Sequence, residues 1–277
     1  MATLTPTQAV RRINGERVTL LGWSRAILLQ LAHPLIAAGV ATHSGFRATP
    51  WAAAARLRRT VQAMVSLTFA DERERSATIA RIRAVHDRVH GTLPEAVGPY
   101  PAGTPYTAHD PALLAWVHAT LLESIVLAYE RFVEPGTPAL RDAFCDGAAW
   151  GAVALGAQAS CVPRTWATLQ AQLAAVQASG VLAVGAEARA VAAAVLTPHT
   201  GIAGVMLAPM ATVNRLITRG TLPIGVRAQY CFDWTDADAR RLERVSRLVR
   251  LARGALPSSA ARWRAARRAD QRPPTSG

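Results

Sequence analysis

Apolar residues recur at helical spacing along most of the chain. Ile79, Ile82, His86 and Val89 stand at i, i+3, i+7 and i+10; Leu114, His118, Leu121 and Ile125 stand at i, i+4, i+7 and i+11. Such stripes turn one face of a helix toward a core. The pattern predicts helices over about 23–40, 51–68, 72–90, 112–133, 139–155, 163–178, 185–196, 202–219 and 236–256. The first of these is apolar almost all round, which predicts a central buried helix. Gly91 and Pro94 punctuate the end of the third, and Asp110-Pro111 gives the fourth an N-cap and a first-turn proline. Alternating β-branched runs are nearly absent and alanine is abundant, so the expected fold class is all-α. The expected organisation is a single helical domain over residues 1–256 and a basic, flexible tail over 257–277.

Composition removes many activities. All 31 basic residues are arginine. Without lysine there is no pyridoxal Schiff base, no lysine-dependent aldolase and no Walker A loop. The G-x-S-x-G, H-E-x-x-H and G-x-G-x-x-G patterns are also missing. Cys145, Cys161 and Cys231 form no C-x-x-C and no disulfide framework. At 277 residues and 51% apolar, the chain has ample material for a buried core.

The net charge of +13 is uneven: residues 240–268 hold ten arginines and one acid, Glu243. Leu242, Val245, Val249 and Ala252 form one stripe within 236–256, flanked by arginines, which describes a basic amphipathic helix. One reading packs that stripe on the core with the arginines in water. The other lets the arginines past Pro257 touch an anionic membrane surface. Only Trp263 interleaves aromatic surface with these charges, so nucleic acid is not an expected partner. Residues 1–18 lack the apolar run of a secretion signal, and the run 26–41 is short for a bilayer span, so a cytoplasmic location is expected.

Candidate chemistry centres on histidine and arginine. His86 and His118 share apolar faces of consecutive helices. A lone inward histidine is commonly a core residue bonded to a backbone carbonyl; two on neighbouring helices point toward a cofactor or proton relay. His86 and His90 also stand at i, i+4, a spacing that can hold zinc, with no third ligand evident. On the second helix Leu57, Val61, Met64 and Val65 make the apolar stripe, and Arg56 and Thr60 share one shoulder of it. Arg58 and Arg59 read as solvated charge. Arg56 is equally placed to enter a pocket or to face water.

Several segments read in order carry a resemblance. They are ILLQLAHPLIAAGVATHSGF (27–46), RLRRT (56–60), VHDRVHG (85–91), YTAHDPALLAWVHATL (106–121) and GVRAQYCFDWT (225–235). The set resembles the bacterial and fungal oxygenase family that contains the latex-clearing rubber oxygenases and the mycophenolic-acid pathway oxygenase. The resemblance implies an all-helical fold with a globin-like core and a b-type haem. It implies an axial histidine in an H-x-x-V-x-G-like stretch, which His86 fits, with His118 the second choice. It also implies a distal pair, an arginine and a threonine four apart, which Arg56 and Thr60 match. Where the rubber enzymes carry a lysine able to occupy the sixth iron position, this chain has Arg59, which cannot ligate iron.

The resulting expectation is a haem b-dependent oxygenase in which His86 binds the iron and O2 is used on an apolar, isoprenoid or lipid-like substrate, with cleavage of a C=C bond as the reaction. The alternative is a non-catalytic helical carrier of an apolar ligand, with structural histidines.

Overall fold

Asp110 caps its helix as the sequence predicts. Its carboxylate accepts hydrogen bonds from the backbone N–H groups of Ala112 (2.8 Å) and Leu113 (3.2 Å), and Pro111 fills the first turn. The computed structural model describes residues 4–43, 50–196 and 202–271. Along them run α1 (Pro6–Asn14), α2 (Trp23–Leu31), α3 (Pro34–His43), α4 (Pro50–Phe69), α5 (Glu72–His86), α6 (Pro111–Phe132), α7 (Pro138–Leu155) and α8 (Trp166–Ala178). They are followed by α9 (Ala186–Leu196), α10 (Ile202–Thr221), α11 (Ile224–Gln229), α12 (Asp236–Ala255), α13 (Ser258–Ala261) and α14 (Arg264–Asp270). A small antiparallel hairpin, β1 (His90–Thr92) with β2 (Pro105–Thr107), interrupts the helices and pairs Gly91 with Tyr106. The fold is all-α, in one domain.

The core lies around α6. Leu28, Leu29 and Leu31 from α2, Tyr129 and Phe132 from α6, Phe144 from α7, and Leu169 and Leu173 from α8 are almost wholly buried. α6 is long and apolar enough to cross a membrane, but 67% of its apolar window is buried inside the fold, as befits a core helix. Close helix approach needs glycine at two positions: a Cβ at Gly22 would overlap the carbonyl oxygen of Ser124, and one at Gly147 the carbonyl oxygen of Pro6.

Two expected helices are shorter than their patterns. The apolar run 23–40 is split into α2 and α3, with a bend of 110°. Pro34 has no N–H to continue the helix and biases His33 away from helical geometry. The helix expected to reach His90 ends at His86, and His90 belongs to β1. His86 and His90 therefore share no helix face, and the zinc spacing dissolves. Among the described residues no group of three or more His, Cys, Asp or Glu could hold a metal ion.

The segment past Pro257, expected as a flexible tail, is docked as far as Asp270. Ala261 and Ala266 are buried, and the Trp263 N–H donates to the Gly15 carbonyl (3.0 Å). The anchor is Glu16, a buried carboxylate that accepts from Arg253 Nε (2.6 Å) and Nη2 (2.7 Å) and lies 3.6 Å from Arg262 Nε. Arg262 also pairs with the nearby Asp270, but the acid that holds Arg253 is 237 residues away in sequence.

Candidate functional site

α5 packs loosely. Thr78 is its buried residue, while Ile79, Ile82, His86 and Val89 are all half-buried. The periodicity therefore gave the right face, but the face looks onto a partly open side of the fold rather than into the core. α4 lies beside it. Val61 and Met64 pack against the main core, but Leu57, expected within the stripe, is exposed. Arg58, Arg59 and Thr60 are exposed as well. Arg56 lies on the α4 backbone four residues before Thr60, and its side chain is outside the described residues.

His86 closes α5. Its Nδ1 is sealed from solvent with no hydrogen-bond partner among the described residues. The His109 ring stands edge-on to it, 6.0 Å between centroids at 76°. His109 Nε2 lies 2.7 Å from Asp87 Oδ1, a contact that ties the segment leading into α6 to the residue just past α5. Burial holds the His86 imidazole below its usual pKa, and His109 pushes the same way while Asp87 opposes. Burial therefore favours the neutral ring, one of whose two nitrogens carries a lone pair.

His118 sits two turns into α6, about 12 Å along the axis from Asp110. Its Nε2 is likewise sealed and unpartnered among the described residues, and burial pushes its pKa down to about 4. No ring contact joins it to His86 among the described residues.

Sequence reasoning passed over two polar features. His33 lies buried at the α2–α3 bend, with Tyr100 Oη 3.1 Å from its Nε2 and with Nδ1 unpartnered among the described residues. Arg25 and Glu123 form a buried ion pair at 2.8 Å, in which Arg25 also donates to Ser124 Oγ (2.8 Å) and to the Thr221 carbonyl (2.8 Å). The signal for the second was present. Arg25 is the lone charge of α2 and Glu123 the first charge of α6, each in an otherwise apolar stretch.

His33 makes stability depend on pH. Burial pushes its folded-state pKa down to about 4 against the nearby charge of Asp110, whereas an exposed imidazole titrates at 6.5. The unfolded chain therefore binds the proton first as pH falls. The contribution of neutral His33 is complete above pH 6.5 and is lost between 6.5 and about 4, by about 3 kcal/mol. His118 acts in the same direction. Urea midpoints at pH 7.5 and 4.5 should differ less in His33→Gln than in wild type; an unchanged gap assigns the acid sensitivity elsewhere.

Residues 10–253 match the family described as "ER-bound oxygenase mpaB/B'/Rubber oxygenase, catalytic domain". The match runs from α1 to the last turn of α12 and takes in every candidate residue above. No curated protein and no solved structure matches the chain.

Proposed function

Because the chain belongs to the mpaB and rubber oxygenase catalytic-domain family, a family of oxygenases, we propose that it is a haem b-dependent oxygenase acting on an apolar, isoprenoid or lipid-like chain, with cleavage of a C=C bond. The observation that carries the haem assignment is His86: a half-buried, neutral imidazole with an unpartnered Nδ1 among the described residues, on a helix face that is not fully covered. That donor chemistry fits a haem iron, and His118 is the second imidazole of the same kind. A bound haem supplies the O2 chemistry.

The chain's own residues have separable tasks. His86 holds the cofactor. Ile79 and Ile82 on α5, Val89 just past it, and Val61 and Met64 on α4 offer half-buried apolar surface that would bind a hydrocarbon chain and exclude water. Arg56 and Thr60, four apart on α4, would be the hydrogen-bond donors toward O2. Arg59, a permanently protonated guanidinium, could not serve as an iron ligand in the way a lysine can.

Protein expressed with a haem precursor should show a Soret band and about one haem per chain by pyridine haemochrome assay. A colourless, metal-free product after supplementation overturns the reading. Arg56→Ala should keep the Soret band and lose ~10²–10³ in turnover of an isoprenoid test substrate, the usual cost of removing one donor aimed at developing charge. Undiminished turnover would place Arg56 outside the reaction.

A further inference from the structure

α12 has two different faces. Leu242 and Ser246 are buried, and Leu242 and Val249 pack with Phe132 of α6 and Ile217 of α10. Several charges along this side are already committed. Arg253 is held by Glu16, Arg250 donates to the carbonyls of Glu130 (2.7 Å) and Arg131 (3.0 Å), and Glu243 is taken by Arg131 (2.9 Å).

The outward face is unlike it. Arg241, Arg244, Leu248 and Leu251 stand at i, i+3, i+7 and i+10, a single stripe, with Arg240 and Arg247 beside it. All are exposed, Leu248 at 65% and Leu251 at 71%. The four arginines make no ion pair or hydrogen bond among the described residues. The remaining acids of the helix, Asp236 and Asp238, sit in its first turn, where Asp238 is bonded to Thr235.

We propose that this face of α12 docks the protein on an anionic lipid surface, with Leu248 and Leu251 entering the headgroup boundary and Arg240, Arg241, Arg244 and Arg247 meeting lipid phosphates and carboxylates. Two leucines set among unpaired guanidinium groups match a surface that is negative outside and apolar just beneath. A second copy of the same face would set arginine against arginine. A nucleic acid would use the arginines, but it offers the leucines nothing, and the stripe has no aromatic ring to stack on bases. Past Pro257, Arg262 is engaged by Glu16 while Arg264 and Arg268 are exposed; the outward face of α12 sets exposed leucines beside Arg240, Arg241, Arg244 and Arg247, which make no ion pair among the described residues. The proposal does not depend on haem, and its readout is separate from the Soret band.

Full-length protein is sedimented with phosphatidylcholine vesicles, with or without 30 mole per cent (~) phosphatidylserine, at low and high salt. Wild type should bind the anionic vesicles only, and more weakly at high salt. Arg241→Ser/Arg244→Ser and Leu248→Ser/Leu251→Ser should each weaken binding about tenfold or more, with unchanged circular dichroism and thermal midpoint. Both pairs are exposed and off the core, so folding is not at stake. The proposal is overturned if wild type ignores anionic vesicles at low salt, or if the leucine variant binds them as well as wild type does. It is also overturned if duplex DNA captures wild type and leucine variant alike while vesicles capture neither. Dimerisation of wild type that is lost in the leucine variant, without vesicle binding, would assign the face to a second copy instead.

Discussion

His86→Ala is expected to purify with less than about a tenth of the wild-type haem, because a single imidazole is the strong iron donor the half-buried α5 face offers. The substitution should spare the fold. His86 ends a helix whose neighbouring residues are mostly exposed, and its Nδ1 makes no hydrogen bond that truncation would break among the described residues. The thermal midpoint should therefore stay within a few degrees of wild type while the Soret band collapses, and imidazole added to His86→Gly should restore part of it. His118→Ala is the paired measurement. Loss of haem there, with retention in His86→Ala, moves the ligand from the end of α5 to the middle of α6 and leaves the oxygenase class standing. Retention in both removes histidine ligation by either residue.

Glu123→Leu should cost about 3–5 kcal/mol, the range for breaking a buried ion pair from one side. The Arg25 side chain is 4% exposed and that of Glu123 12%, so water cannot replace the lost partner. Arg25 would keep Ser124 Oγ and the Thr221 carbonyl, which are dipoles and cannot neutralise it. The double variant Arg25→Met/Glu123→Leu should regain most of the loss, since apolar side chains of similar volume do as well as a desolvated pair. Urea unfolding of the three proteins forms the cycle. A single variant as stable as wild type would mean that the pair is solvated and that α2, α6 and the end of α10 are held by apolar packing alone.

The contrast between α6 and α5 explains which features were legible. In α6 the stripe, the Asp110 cap and Pro111 all point to the same helix, and the structure starts it at Pro111. In α5 the apolar positions continue to Val89, but the helix stops at His86. Asp87 is engaged by His109, and residues 90–92 pair with 105–107. Both partners lie well beyond the reach of a helical repeat. The cap of α1 was locally visible, as Thr5 and Gln8 form a capping box, yet nine residues are too few for periodicity to register.

The candidate site divides in the same way. The donor types and their faces could be read from spacing, since rotation about a helix axis depends only on residue number. How deeply a face is buried depends on what the rest of the chain lays against it. That is why Leu57 is exposed, His86 half-buried and His118 more deeply enclosed, although their patterns look alike.

By itself the sequence determined the helical class, most helix boundaries, the exclusion of lysine chemistry and the block of motifs that marks the family. Those properties come from local backbone preference and from residue order. Tertiary structure alone decided that Pro34 turns the chain by 110° rather than ending it, and that Glu16 holds the basic C-terminal segment. It alone decided which face of α12 keeps its arginines unpaired. Charge and apolar surface take their meaning from what lies within a few ångströms, and those neighbours are brought in from distant positions in the chain.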